Sequence, residues 1–215
     1  AVVTGASSGI GAVYADRLAQ RGYDLVLVAR SADKLAAVAE RIGAKTGRKV
    51  DILPADLADA GDLARVEAFL RETPDVTLLV NNAGLGGALK LVDSDVDQMT
   101  SLIALNVTAL TRLTYAIVPQ FIGRGAGTIV NIASIVAINP EALNGVYGGS
   151  KAFVLAFSQN LQHELAGTGV SVQVVLPGAT ATEFWAIAGR PVEHLPTEIV
   201  MRSEDLVDAA LVGLD

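Results

Sequence analysis

Val2-Val3-Thr4-Gly5-Ala6-Ser7-Ser8-Gly9-Ile10-Gly11 runs from a short β-branched stretch through three glycines into an amphipathic segment. A strand followed by a glycine turn and a helix start brings backbone N–H groups and the positive end of a helix to one point. Such a point either binds a pyrophosphate or is a plain turn, and its position directly after the first strand favours the first reading. The spacing Gly5, Gly9, Gly11 differs from the common G-x-G-x-x-G pattern.

Beyond this turn the same alternation repeats along the chain. Near-continuous apolar runs predict strands at Val2–Thr4, Leu25–Val28, Val50–Pro54, Val76–Asn81, Gly127–Ile132 and Val170–Leu176. Helical patterns fall between them at 10–22, 32–43, 59–72, 95–122 and 146–166, with a last one at 203–214. Asp59 and Asp62 flank one helix start, and Ser203-Glu204-Asp205 reads as a capping stretch for the last. The predicted fold is α/β: a Rossmann-type doubly wound parallel sheet with helices on both faces, in three layers. No linker or repeat divides the chain, so residues 1–215 are expected to form a single NAD(P)-binding domain.

Composition narrows the function classes. Of 215 residues 51% are hydrophobic and only 5% aromatic, which suits close helix-on-sheet packing by Ala, Val and Leu. Apolar stretches such as Val76 to Val80 and Leu102 to Val118 are broken by polar residues before about 18 residues, so no membrane span is expected. The net charge of −7 and the scattered basic residues argue against nucleic acid. With no cysteine there is no disulfide, thiolate nucleophile or cysteine metal site, and no metal is expected. A cytoplasmic location fits this composition.

The second strand ends in Val28-Ala29-Arg30-Ser31. An acidic residue at this point of a dinucleotide fold binds the ribose hydroxyls, whereas an arginine receives a 2′-phosphate. Arg30 is present, and Asp24 lies at the strand's opposite end, so the reading favours NADP(H) over NAD(H).

Tyr147 and Lys151 are four apart in a helical pattern and share a face. An ammonium beside a phenol is expected to lower its pKa and make it a general acid/base. Ser134 ends the fifth strand; it either hydrogen-bonds a substrate oxygen or serves as a cap or turn serine. Asn106 is a poor helix former within a long helical pattern, so it bonds a helix carbonyl or has a buried polar task. Asn81-Asn82-Ala83-Gly84 either ends the fourth strand in a turn or braces the neighbouring nucleotide site.

Taken together these residues resemble the short-chain dehydrogenase/reductase family along essentially the whole chain. The matching segments are Thr4 to Gly11, Asp56-Leu57, Asn81-Asn82-Ala83-Gly84, Asn106, Ser134, Tyr147 with Lys151, and Pro177-Gly178 followed by Thr180 and Thr182. The resemblance implies that Tyr147 exchanges the proton and Ser134 orients the carbonyl. Lys151 would tune Tyr147 and hold the nicotinamide ribose, with Asn106 holding a relay water behind it. Gly5, Gly9 and Gly11 would shape the cofactor turn, lined by Ser7, Ser8 and Ile10. By the same resemblance Asp56 and Leu57 border the adenine, and Asn82, Ala83 and Gly84 lie beside the cofactor, with Asn82 supporting the central strands. Pro177, Gly178, Thr180 and Thr182 would border the nicotinamide, and the long helices carrying Asn106 and Tyr147 would form a homodimer or homotetramer.

Three features depart from the family pattern. Ser8 stands where NADP-preferring members often carry a base, leaving Arg30 as the basic candidate with Ser31 and Ser7 as helpers. Gly148-Gly149 follows the tyrosine, where each glycine costs a helix about 1 kcal/mol. The family's seventh strand is not covered, and the chain opens inside a strand pattern at Ala1-Val2-Val3, so both ends are expected to continue beyond this sequence.

The expected reaction is hydride transfer between nicotinamide and a moderately apolar carbonyl or secondary alcohol. Leu85, Ile135, Val136, Leu143 and Phe184-Trp185-Ala186-Ile187 are candidates for the pocket wall, with Trp185 as a closing lid. The alternatives are a non-catalytic NADP-binding sensor or scaffold, and isomerisation or epimerisation by transient oxidation.

Overall fold

The computed structural model describes residues 1–87, 89–184 and 195–214. Trp185, Ala186 and Ile187 lie outside the described residues. Six parallel strands form one sheet: β1 (Val2–Thr4), β2 (Leu25–Ala29), β3 (Val50–Pro54), β4 (Leu78–Asn81), β5 (Gly127–Ile132) and β6 (Val170–Val175). Their order is β3-β2-β1-β4-β5-β6, so the chain reverses its direction of travel across the sheet between β1 and β4. Ligands of open parallel sheets bind above the carboxyl ends of the strands at such a reversal.

The helices are α1 (Gly9–Gln20), α2 (Ala32–Thr46), α3 (Ala60–Glu72), α4 (Val96–Ile103), α5 (Leu110–Arg124), α6 (Gly145–Glu164) and α7 (Ser203–Val212). Two cores form because successive strand residues point to opposite faces. Val3, Leu27 and Val80 pack with Leu18 and Ala15 of α1, Leu35 and Ile42 of α2, and Val207 and Leu211 of α7. Val2, Val28, Leu79 and Ile129 face the other way, onto Val66 and Leu70 of α3, Ile117 and Phe121 of α5, and Leu161 of α6. This is the three-layer arrangement expected from the strand–helix alternation.

Helix starts follow side-chain chemistry. Asp59 Oδ1 accepts from the N–H groups of Gly61 and Asp62 at 2.9 Å each, and Asp95 Oδ1 accepts from Gln98 N–H at 2.9 Å. The expected cap at Ser203 is not made. Ser203 is the first residue of α7, it is buried, and its hydroxyl donates to the Ala181 carbonyl at 3.2 Å. Packing against that loop takes the hydroxyl away from the helix end.

The single long helix expected at 95–122 is interrupted. Between α4 and α5 the backbone widens into a π-helical stretch, Ala104–Ala109, with Asn106 inside it. The whole run Val96–Arg124 is long and apolar enough to cross a membrane by length and composition alone. Here Leu102, Ala109, Leu113, Ile117 and Phe121 are buried in the domain's own core.

Candidate active site

The glycine turn is built by one conformation and one close approach. Gly5 has φ +64°, which side-chain-bearing residues rarely adopt. A Cβ on Gly11 would lie 2.3 Å from the Gly5 oxygen, so the first turn of α1 presses directly on the turn. Gly11 therefore shapes the turn from behind and does not line the cavity, whereas Gly5, Ser7, Ser8, Gly9 and Ile10 do.

Asn82 fastens this turn to β4. Its Nδ2 donates to the carbonyls of Thr4 at 2.9 Å and Gly5 at 3.2 Å. Thr4 Oγ1 in return accepts from Asn82 and Ala83 N–H, both at 3.0 Å. Of the two readings left open for Asn81 to Gly84, bracing holds for Asn82. Asn81 instead turns into the core, donating to Asn131 Oδ1 at 3.0 Å and Thr114 Oγ1 at 3.2 Å. Asn131 Nδ2 continues this buried chain to Ser158 Oγ at 2.9 Å.

A cavity of about 510 Å³ opens above the carboxyl ends of the strands. One part of its wall holds Arg30, Ser31, Asp56 and Leu57, and the middle holds the glycine turn with Asn82, Ala83 and Gly84. Ser134, Tyr147, Lys151, Pro177, Gly178, Thr180 and Thr182 complete it. Ser31 also caps α2, accepting from Lys34 N–H at 3.3 Å. Asp56 Oδ1 accepts from Ala58 N–H at 3.0 Å, which shapes its own loop, and the Leu57 side chain is buried among α3 residues.

Tyr147 and Lys151 are 5% and 6% exposed. Lys151 Nζ lies 5.9 Å from the Tyr147 ring centroid and donates to the Ile132 carbonyl at 2.9 Å. Ser134 Oγ donates to the Pro177 carbonyl at 3.4 Å, caps the short helical turn Ile135–Ala137 and hydrogen-bonds the Tyr147 phenol. Ser134 is thus both a turn serine and a group facing the tyrosine.

The expected lowering of the tyrosine pKa is overturned in this state of the site. Burial pushes the Tyr147 phenol up to about 12, and the Ser134 hydrogen bond offsets only part of that. Burial likewise brings Lys151 down to about 8. Spacing placed the two groups together, but desolvation outweighs their proximity.

Asn106 lies behind the cavity wall. Its Oδ1 accepts from Leu85 N–H at 2.8 Å, while Nδ2 donates to the Leu85 carbonyl at 2.9 Å and Ser150 Oγ at 3.1 Å. This pairing with one residue's entire backbone is the buried polar task of Asn106. A methyl placed on Gly84 would sit 3.2 Å from Asn106 Oδ1 and 3.5 Å from Lys151 Nζ, so both groups face the same small gap.

Leu85, Ile135, Val136, Leu143 and Phe184 all reach the cavity, joined by Leu105 and Ser101, which sequence reasoning missed. The Phe184 ring lies 5.7 Å from that of Tyr147. Asn144 was also missed: it caps α6 through Val146 N–H at 2.8 Å and donates to the Leu89 carbonyl at 2.7 Å. An Asn three residues before the tyrosine, at a helix start, was the available signal. Lys34 and Glu183, on the cavity rim, were missed as well.

Comparison with known proteins follows this geometry. The short chain dehydrogenase family model matches residues 1–190. Human 17-beta-hydroxysteroid dehydrogenase type 3 is 35% identical over 209 residues, covering 95% of this chain. The chain spans 64% of the length of that human relative. Among solved structures, a short-chain dehydrogenase from Sphingobium yanoikuyae in complex with NADPH is 50% identical, with a TM-score of 0.97 over 100% of this chain and 83% of its own. The bulky-bulky ketone specific alcohol dehydrogenase from Comamonas testosteroni is 44% identical, with a TM-score of 0.91 over 100% of this chain and 81% of its own.

Proposed function

This chain belongs to the short-chain dehydrogenase/reductase family of oxidoreductases, and from that premise we propose that it interconverts a moderately apolar ketone and its secondary alcohol with NADP(H). The observation that carries the reading is the convergence of Ser134, Tyr147 and Lys151 on one cavity that also contains the glycine turn.

The residues present fit a nicotinamide dinucleotide. The turn is kept open where Cβ atoms would intrude: one on Gly9 would lie 3.1 Å from Thr182 Cγ2, and one on Gly84 would fill the gap before Lys151. Gly5, Gly9 and Ile10 would hold the pyrophosphate, Asp56 and Leu57 the adenine, and Lys151 with Thr182 the nicotinamide riboside. Arg30, on the cavity wall at the end of β2, supports NADP(H) over NAD(H). Bound there, the cofactor supplies or accepts hydride at the carbonyl carbon.

The chain's own groups manage the oxygen and its proton. Ser134 and Tyr147 hydroxyls hydrogen-bond the carbonyl oxygen as charge develops on it. With its pKa raised, Tyr147 is a protonated phenol at neutral pH and serves as the acid in reduction. Lys151, positively charged at neutral pH, stabilises the tyrosinate left behind and hands it a proton through the gap shared with Asn106. In oxidation each step reverses, with Tyr147 as base. Leu85, Leu105, Val136, Leu143 and Phe184 shield this chemistry from water and favour an apolar substrate.

The test is loss of NADPH absorbance against a panel of ketones, aldehydes and diketones, comparing wild type with Tyr147→Phe. Turnover that disappears in the variant while NADPH binding persists supports the reading. Tight NADPH binding without turnover by either protein favours a nucleotide sensor.

A further inference from the structure

On the cavity rim an ion pair remains that the hydride-transfer reading does not use. Lys34, in the first turn of α2, places Nζ 3.1 and 3.4 Å from the two carboxylate oxygens of Glu183. The Ser8 hydroxyl, on the glycine turn, hydrogen-bonds the same carboxylate. Glu183 thus bridges two elements 149 and 175 positions away in sequence, and all three residues line the cavity together with Arg30 and Ser31.

We infer that Lys34 is a second contact for the 2′-phosphate of NADP(H) beside Arg30, and that Glu183 holds this place as an internal carboxylate until the phosphate displaces it. This rests on the NADP(H) reading above. A phosphate monoester carries up to two negative charges and three acceptor oxygens, against one charge and two oxygens on Glu183. It therefore outcompetes the carboxylate for one ammonium, while the exposed Lys34–Glu183 pair is of the weak surface kind. The missing base before Gly9, where Ser8 stands, is replaced from the helix that follows Arg30. Lys34 and Glu183 hold each other's charge before the cofactor arrives, and Lys34 draws the carboxyl below its usual range.

Displacement also has a consequence for the catalytic wall. Glu183 immediately precedes Phe184, whose ring packs against Tyr147. It follows Thr182, whose methyl group closes on the glycine turn. Releasing Glu183 from α2 therefore frees the segment that covers the reacting end. NAD(H), lacking the phosphate, leaves the pair closed.

Calorimetric titration of wild type, Lys34→Ala, Glu183→Gln and Arg30→Ala with NADP+, NAD+ and adenosine 2′-monophosphate tests this without turnover. Lys34→Ala is expected to raise the Kd for NADP+ and the 2′-monophosphate about tenfold, the scale of one charge-assisted phosphate contact. The Kd for NAD+ is expected to change less than about twofold. Glu183→Gln is expected to lower the Kd for NADP+ about threefold by removing the competitor. An unchanged NADP+ affinity in Lys34→Ala, while Arg30→Ala weakens it, overturns the assignment and leaves the NADP(H) reading standing. Unchanged or weaker NADP+ binding by Glu183→Gln overturns the displacement. If wild type binds NADP+ no more tightly than NAD+, the NADP(H) reading fails and takes this inference with it.

Discussion

Lys151 Nζ donates to the main-chain oxygen of Ile132, the last residue of β5, at 2.9 Å. Two residues further along the same chain is Ser134, and one helical turn before Lys151 is Tyr147. The hydrogen bond therefore pins α6 to the strand end that delivers the serine, so serine, tyrosine and lysine are held by two rigid elements and one buried contact. It also explains why Lys151 is aimed past the tyrosine ring, at 5.9 Å from its centroid, and not at the phenol oxygen.

Lys151 is expected to set the pH dependence of reduction. Burial brings it to about 8 and lifts Tyr147 to about 12, so across the accessible range the phenol stays protonated while the lysine titrates. The charged lysine is the active form, present below about 8. The kcat/KM for carbonyl reduction should be level below that pH and fall about tenfold per unit above it. Lys151→Arg keeps its charge at any accessible pH. It should therefore remove the fall, whatever its effect on the maximal rate. A wild-type profile that is flat from pH 6 to about 10 would contradict this assignment.

Gly11→Ala tests the close approach of α1 to the glycine turn. The new methyl would meet the Gly5 oxygen at 2.3 Å and Asn82 Nδ2 at 2.5 Å, both fixed by the β1–β4 brace. Relief requires moving the turn, at a cost of about 1–3 kcal/mol in folding stability. NADPH affinity should fall with it, because the turn's N–H groups lose their alignment. Urea unfolding and calorimetry measure the two effects, and an alanine variant as stable as wild type would show that the turn can yield.

The sequence made some of this legible and left the rest hidden for physical reasons. Strand–helix alternation and the glycine turn are local patterns, so their positions could be read within a few residues. The Tyr147–Lys151 juxtaposition follows from helical spacing alone. The π-helical stretch at Ala104–Ala109 could not be read, because those residues suit an ordinary helix and what holds them is Asn106 bonding to Leu85, 21 positions away. The direction of the Tyr147 pKa shift depends on how much water reaches the ring, which spacing does not encode. Ser203 has the composition of a cap, but tertiary contact with Ala181 claims its hydroxyl. The Lys34–Glu183 pair closes across most of the chain and has no local signature.

Asn131 should prove a structural residue of the catalytic frame and not part of the chemistry. It accepts from Asn81 on β4 and donates to Ser158 on α6, fully buried. Asn131→Val removes both bonds and leaves part of the Asn81 amide without a partner, which should destabilise the fold by about 1–3 kcal/mol. In a double-mutant cycle with Ser158→Ala, a coupling of about 0.5–1.5 kcal/mol is expected from the direct hydrogen bond. Thermal or urea unfolding reads both values, and a coupling of zero would mean that the network carries no net stability.

Association between copies of the chain is expected through the outer face of the α4–α5 run. Val96 and Ile103 are seven residues apart on one helix face and both are exposed, as are Tyr115 and Ile122 on α5. Tyr115 is 71% exposed, a large ring left in water that a second copy would cover. The helix beneath it is anchored in the core through Leu113, Ile117 and Phe121, so the outer face can accept a charge without disturbing the fold. Sedimentation at micromolar concentration should show a dimer or tetramer for wild type, and Tyr115→Glu should shift it toward monomer while leaving the unfolding midpoint of the dilute protein in place. Wild type that sediments only as a monomer would leave this apolar face without a partner copy and rule out the assembly.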